Sequence, residues 1–99
     1  MAWLRENGYP LAERRVKQGN KDRGDVSGVP HVVVECKNCR KMDLPQWLRE
    51  AEVERKNDKA KVGVVVFPRR SHGVGDGYFL VDIETGFRLL RAALGVEAL

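Results

Sequence analysis

The sequence predicts an α/β domain in which a mixed β-sheet of four to five strands is flanked by helices. Three observations lead to this class. Strand-like runs occur on both sides of segments with helical periodicity, and the central order of strand, helix and strand is typical of a crossover connection. The run after the central helix is nearly continuous valine, as in a strand buried on both faces. The 99 residues, 1–99, are expected to form a single domain with a modest core.

The first half of the chain is expected to hold the end of a helix and three strands. Residues 2–7 are predicted to be the end of a helix. In residues 11–17 the side chains alternate modestly in polarity, which predicts an exposed strand. Two strand-like segments, 25–26 and 31–37, flank a Gly-Val-Pro turn at 28–30 and therefore predict a hairpin. This hairpin would fold the first of the two segments back against the second.

The clearest helix signal begins at Asp43. Asp43 is a favourable N-cap, Pro45 lies in the first turn, and Gln46 follows the cap by three residues, where it would complete a capping box. Apolar residues then recur at helical spacing, at Leu44, Trp47, Leu48 and Ala51. We expect the helix to run to about residue 56 or 57, and we expect Trp47 and Trp3 to be core aromatics.

Two further strands and a helix are predicted in the second half. Residues 61–67 predict a buried strand, residues 68–77 a Gly- and Arg-rich loop, and residues 78–83 another strand. A helix is expected from residue 85 or 86 to residue 94, with its apolar side chains along one face and Gly95 closing it.

Basic residues surround the predicted hairpin, and the chain has a net charge of +4. This balance is compatible with nucleic-acid binding, and a solvated basic surface is the alternative. The candidate DNA-binding residues are Arg14, Arg15, Lys17, Lys21, Arg23, Arg40, Lys41, Arg69 and Arg70. Those in the loop 68–77 would hold the DNA backbone, unless the loop is an ordinary hairpin connection.

Neither apolar runs nor cysteine content indicate a membrane or secreted protein. No run is long and apolar enough to span a bilayer, and two closely spaced cysteines cannot form a disulfide framework. We therefore predict a cytoplasmic protein with reduced thiols and no membrane partner.

Two acids and a lysine are the candidate catalytic residues. Side chains alternate along a strand, so Glu35 and Lys37 would point the same way, and the hairpin would bring Asp25 beside them. Asp25 and Glu35 would offer Mg²⁺ two carboxylates, and the backbone carbonyl of Cys36 a third oxygen. Lys37 would stabilise the negative charge that develops on a phosphate. The alternative is a surface ion pair between Glu35 and Lys37.

These segments resemble the signature of a known family. The segment 24–28 (GDVSG) and the segment 32–38 (VVVECKN), followed by a capped helix and an apolar strand, resemble the PD-(D/E)XK nuclease superfamily. The resemblance covers residues 11–67 and is closest to the small Holliday-junction-resolvase-like branch of phages and bacteria. It implies a restriction-endonuclease-like fold.

The resemblance also implies an activity. It implies an endodeoxyribonuclease that depends on Mg²⁺ or Mn²⁺ and acts on branched DNA such as Holliday junctions. Asp25 and Glu35 would be its metal ligands, and Lys37 its catalytic base or charge stabiliser. Symmetric cleavage of two strands requires two sites, so we expect a homodimer, with Trp3 or the last helix as candidate contacts. A phage-encoded enzyme would act in the cytoplasm of its bacterial host.

The chain departs from the family pattern at two places. Gly24, not proline, precedes Asp25. The family often takes a further glutamate from its first helix, where only Glu6 is available here. Glu6 or Glu13 could supply this acid, a longer N-terminus could carry it, or the site could work with two carboxylates. Without it, the alternative is a non-catalytic DNA-binding module on a degenerate nuclease fold. A structural or interaction domain is a third possibility.

Two other features have competing interpretations. Gln46 would position a water or a phosphate, or would complete the capping box, which we favour. Cys36 and Cys39 have Cys-x-x-Cys spacing, but a zinc site would need His31 and His72, and His31 is poorly placed. We expect the cysteines to be core and turn residues, with Cys36 packed against a helix.

Overall fold

The computed structural model describes residues 1–16 and 22–95 of the chain. Three α-helices, five β-strands and one 3-10 turn make up this part. They are α1 (Ala2–Glu6), β1 (Glu13–Arg14), β2 (Val26–Ser27), β3 (Val32–Cys36), α2 (Leu44–Asp58), β4 (Val62–Phe67), the 3-10 turn Val74–Asp76, β5 (Tyr78–Leu80) and α3 (Ile83–Leu94). Lys17 and Lys21, two of the candidate DNA-binding residues, lie outside the described residues.

The five strands form one mixed sheet in the order β1-β2-β3-β4-β5. Strands β1, β2 and β3 pair antiparallel, β3 and β4 pair parallel, and β4 and β5 pair antiparallel. Helix α2 connects the two parallel strands, as the crossover connection predicts. The expected mixed sheet with flanking helices is therefore confirmed, with five strands.

The two faces of the sheet carry separate core clusters, because side chains alternate along each strand. On one face, a buried cluster packs against Leu4 of α1 and Leu89 of α3; it consists of Ala12, Val26, Val34, Val62 and Val64. On the other face, Val65 packs with Trp47 and Ala51 of α2. Trp47 is thus a core aromatic, as expected.

Helix α2 begins and ends near the predicted residues. The Asp43 carboxylate accepts a hydrogen bond from the backbone N–H of Gln46 at 3.3 Å, and Lys59 closes the helix in a left-handed conformation. The helix lies very close to the sheet, since a Cβ placed on Gly63 of β4 would be 2.7 Å from the carbonyl oxygen of Ala51. This close approach places the α2 side chains directly over the end of β3.

Three expectations differ from the structure. Strand β1 is shorter than the predicted 11–17. Ile83 begins α3 and does not extend β5, because the Asp82 carboxylate caps the helix by accepting from the backbone N–H of Thr85 at 2.6 Å. Trp3 is 39% exposed and is not a core residue. It lies instead against the 3-10 turn, where a Cβ on Gly75 would come within 3.1 Å of its indole ring.

Among the residues that the structure describes, no helix has both the length and the apolar character that a bilayer crossing requires.

Candidate active site

The hairpin of β2 and β3 places Asp25 beside the end of β3. The backbone N–H of Asp25 donates to the carbonyl of Val34 at 2.9 Å, and the Asp25 carboxylate accepts from the backbone N–H of Cys36 at 2.7 Å. Gly24 precedes it with φ +92°, and a Cβ there would lie 2.8 Å from the Val33 side chain. A glycine at this position therefore lets the chain pass closely over β3 and aim the Asp25 carboxylate at the strand end.

Glu35 is buried at this point, with 7% of its surface exposed, and it faces α2. Burial raises the pKa of Glu35, and the adjacent carboxyl of Asp25 raises it further. Contact with Glu54 and the charge of Lys37 act in the opposite direction. The sequence predicted that Asp25 and Glu35 would meet, and the structure brings them together.

Lys37 extends from the end of β3 toward α2. Its ammonium lies 3.9 Å from the nearer carboxylate oxygen of Glu35 and forms an ion pair with Glu50. The hydrogen bond to Glu50 is the largest factor that raises the pKa of Lys37. Lys37 therefore remains a cation at neutral pH, which fits the stabilisation of negative charge better than the abstraction of a proton.

Gln46 supports this ion pair. Its side-chain amide donates to the second carboxylate oxygen of Glu50 at 3.1 Å, and its own oxygen accepts from Arg49 at 2.7 Å. The favoured interpretation of Gln46 as the return half of a capping box is therefore wrong, because its side chain points along the helix to Glu50. Its role in positioning a water or a phosphate stays a prediction.

Two further carboxylates that were not predicted from the sequence approach Glu35, Glu54 from α2 and Asp22 from the segment before β2. Glu54 is only 3% exposed, and carboxylate oxygens of Asp22, Glu35 and Glu54 all lie within 4.8 Å of one another. We call these three residues the acidic triad. A signal for Glu54 exists in the sequence, since it lies at helical spacing from Trp47 and Ala51 and so falls on the buried stripe of α2. An acid on a buried stripe requires a partner.

Lys37, 3.9 Å from Glu35, offers the three carboxyl groups of the acidic triad a single positive charge. Burial, the hydrogen bond with Glu35 and the charges of Glu35 and Asp22 together raise the pKa of Glu54 to about 10. One buried oxygen of Glu35 and one of Glu54 have no hydrogen-bond partner. Unsatisfied carboxylate oxygens that converge in a buried place are suitable ligands for a hard divalent cation, so the residues present fit Mg²⁺ or Mn²⁺.

The other candidate acids lie elsewhere. Glu6 on α1 and Glu13 on β1 are both exposed, and the structure does not bring either of them into the acidic triad. The acids that do converge with Glu35 are Glu54 of α2 and Asp22 of the segment before β2.

The two cysteines are free thiols and both are exposed. The expectation that Cys36 packs against a helix is therefore wrong. Cys36 is the last residue of β3 and lies beyond Val34, the last buried valine on its face of the strand. The role of its backbone carbonyl as a metal ligand stays a prediction.

A groove of about 280 Å³ opens beside Lys37. It is lined by Arg40, Arg69 and Arg70, and also by Phe67 and Tyr78, whose rings are 5.1 Å apart. Three of the candidate DNA-binding residues thus line the same groove as Lys37.

The remaining candidate DNA-binding residues have other surroundings. Arg15 and Arg23 form ion pairs with Asp58 at 3.5 Å and 2.6 Å, which ties the segments on either side of residues 17–21 to the end of α2. Arg14 on β1 and Lys41 before α2 are exposed.

No protein-family model, curated protein or solved structure matches this chain. The site itself is therefore the basis for a functional assignment.

Proposed function

We propose that this chain is a metal-dependent DNA endonuclease that uses Mg²⁺ or Mn²⁺ to hydrolyse phosphodiester bonds. The observation that carries the proposal is the acidic triad, in which Glu35 and Glu54 are buried with unsatisfied oxygens and Asp22 is exposed, beside a lysine at the edge of a basic groove. A buried carboxylate is unfavourable for folding unless it keeps a proton or binds a cation. A cation site next to arginines suits a substrate that carries phosphates.

The roles of the residues follow from their positions. Glu35 and Glu54 would hold the cation, together with Asp22 and the adjacent Asp25. When bound, such a cation lowers the pKa of a coordinated water and polarises a phosphoryl oxygen. Lys37 would remain charged and stabilise the additional negative charge on the phosphate in the transition state.

Glu50 is a positioning residue in this proposal. Its ion pair with Lys37 holds the ammonium near Glu35, and the hydrogen bond from Gln46 holds Glu50 in turn. Lys37 is thus fixed on the side of the acidic triad that faces the groove.

The groove would bind the DNA backbone. Arg40, Arg69 and Arg70 offer guanidinium groups to phosphates, and the half-exposed ring of Tyr78 offers a surface on which a base can stack. Such contacts are insensitive to sequence and weaken with salt. We propose branched DNA such as a Holliday junction as the substrate, in accordance with the family resemblance.

The topology supports a restriction-endonuclease-like arrangement. An antiparallel hairpin places one acid, the parallel strand after its turn carries the second acid and the lysine, and α2 crosses over to the next parallel strand. We propose on this basis that the chain belongs among nucleases of the PD-(D/E)XK type, with an acid from α2 in place of one from the first helix.

A cleavage assay tests the proposal. Labelled four-way junction and matched linear duplex are incubated with Mg²⁺, Mn²⁺ or EDTA and with the wild type, Glu35→Ala or Glu54→Gln. Glu52→Gln is the matched control, because Glu52 is an exposed acid on the same helix that pairs with Arg55.

We expect metal-dependent cleavage by the wild type and by Glu52→Gln, and its loss in the two variants of the acidic triad. Binding of DNA without cleavage under any metal would support the alternative, a non-catalytic DNA-binding module. Cleavage at the wild-type rate by Glu35→Ala would refute the site assignment.

A further inference from the structure

Helix α3 presents an apolar stripe to solvent. The stripe consists of four exposed side chains: Ile83 (81%), Phe87 (64%), Leu90 (51%) and Leu94 (68%). Leu89 of the same helix packs against the core. The stripe has the spacing four, three, four, which is the a/d pattern of a two-helix coiled coil. A surface helix of a monomer normally buries such a stripe, so this face is suited to a partner.

The exposed apolar area is about what a stable dimer needs. Phe79 of the edge strand β5 lies beside the stripe and is 63% exposed. The two phenylalanines and the three aliphatic residues of the stripe expose about 500 Å² of apolar surface in total. A standard interface buries about 800 Å² on each partner, and about 65% of it is apolar in homodimers, which is again about 500 Å².

A groove between β5 and α3 could receive side chains of the partner. It has a volume of about 320 Å³ and is lined by Phe79, Val81, Gly86, Phe87, Leu89 and Leu90. Phe87 and Leu90 belong to both the groove and the stripe, so a second helix on the stripe would lie beside the groove.

The charges that flank the stripe select a second α3 in antiparallel orientation. Glu84 and Arg91 are seven residues apart on one flank of the stripe, at equivalent heptad positions, and the other flank holds Gly86 and Ala93. In an antiparallel pair, equivalent flanks face each other, so Glu84 lies opposite the partner's Arg91. In a parallel pair, the charged flank would face the flank of small residues, and this complementarity would be lost.

The hydrophobic layers agree with the same orientation. When two copies of α3 run antiparallel about a two-fold axis, Ile83 meets the partner's Leu94 and Phe87 meets the partner's Leu90. Both flanking ion pairs then form by symmetry. We propose that a second copy of this chain covers this face, with the two α3 helices packed antiparallel across a two-fold axis.

Sedimentation velocity over a series of protein concentrations tests this interface, and its outcome does not depend on the proposed nuclease activity. We expect the wild type to be a dimer and Leu90→Glu to be a monomer. Val53→Glu, on an equally exposed apolar residue of α2, is the matched control and is expected to remain dimeric.

A charge exchange between two exposed residues tests the orientation, with circular dichroism to confirm that α3 stays helical, because Glu84 and Arg91 lie in its first and last turns. Glu84→Arg and Arg91→Glu each break two symmetric ion pairs, and each is expected to raise the dimer Kd by about fivefold or more. The double exchange Glu84→Arg/Arg91→Glu is expected to return the Kd to near the wild-type value.

Three results would overturn the proposal. A monomeric wild type at high micromolar concentration would exclude a second copy as the occupant. A folded Leu90→Glu variant that still forms dimers would place the interface elsewhere. Failure of the double exchange to recover the Kd would exclude the antiparallel arrangement.

Discussion

Replacement of Glu54 by glutamine is expected to change how the stability of the metal-free protein depends on pH. Burial and the neighbouring acids raise the pKa of Glu54 from its usual 4.5 to about 10. Between these two values, the folded protein keeps a proton on Glu54 that the unfolded chain releases. Stability must therefore fall as the pH rises through this window. Glu54→Gln carries no such proton and lacks this slope.

The size of the effect follows from the linkage relation. One proton that is bound only in the folded state changes the free energy of unfolding by about 1.4 kcal/mol per pH unit. Between pH 5.5 and pH 7.5, the wild type should lose about 3 kcal/mol of stability relative to Glu54→Gln. For a domain of this size, this difference corresponds to about 10–20 °C in Tm.

Chemical denaturation in EDTA at several pH values measures the difference directly. Groups that do not contact Glu54 titrate alike in both proteins, so their contributions cancel when the two curves are subtracted, and the difference reports the coupled pair of Glu54 and Glu35. At pH 7.5, Mg²⁺ at 100 times its Kd should raise the free energy of unfolding of the wild type by about 2.7 kcal/mol. It should raise that of Glu54→Gln much less. Parallel stability curves for the two proteins over this pH range would refute the assignment of a buried, protonated Glu54.

Three further predictions concern the groove, the lysine and the packing of α2. The double variant Arg69→Ala/Arg70→Ala should weaken DNA binding and reduce the salt slope of log K by about 2, as titration by fluorescence anisotropy would show. Lys37→Met should abolish cleavage and retain most of the DNA affinity, which gel-shift and cleavage assays separate. Gly63→Ala should destabilise the fold by about 1–3 kcal/mol in urea denaturation, because its Cβ would press on the carbonyl of Ala51.

Each of these has a clear counter-result. Arg88→Ala, on exposed α3 and away from the groove beside Lys37, is the control for the arginine pair and should leave the salt slope unchanged. An equal loss of affinity in both variants would show that the groove has no special role. Cleavage by Lys37→Met would remove the lysine from the mechanism, and a fully stable Gly63→Ala would show that α2 can retreat from the sheet.

Most of the fold could be predicted because its signals are local. The cap at Asp43, the valine run of β4 and the turn before β3 each determine an element from neighbouring residues alone. The start of α3 was missed although its signal is also local, since Asp82 caps the helix and Ile83 begins it two or three residues before the predicted start. The exposure of Trp3 was missed because it depends on a tertiary contact with a turn far along the chain.

The candidate site could likewise be predicted only where its signals are local. Asp25, Glu35 and Lys37 lie on one hairpin and its continuation, so alternation along a strand and one turn bring them together. Glu54 is 19 residues beyond Glu35, and its place in the acidic triad depends on how closely α2 approaches the sheet. Alternation along a strand contains no information about that distance.

Helix α2 connects the fold to the proposed chemistry. The absence of a side chain at Gly63 allows the helix to approach β4, and the same approach presses Glu54 into the space beside Glu35. One turn earlier, Glu50 is far enough toward solvent to pair with Lys37. A single helix thus supplies the buried acid Glu54 to the acidic triad and the half-buried acid Glu50 to the ion pair with Lys37. Any change that moves α2 away from the sheet should therefore weaken metal binding and displace Lys37 together, even though neither residue is altered.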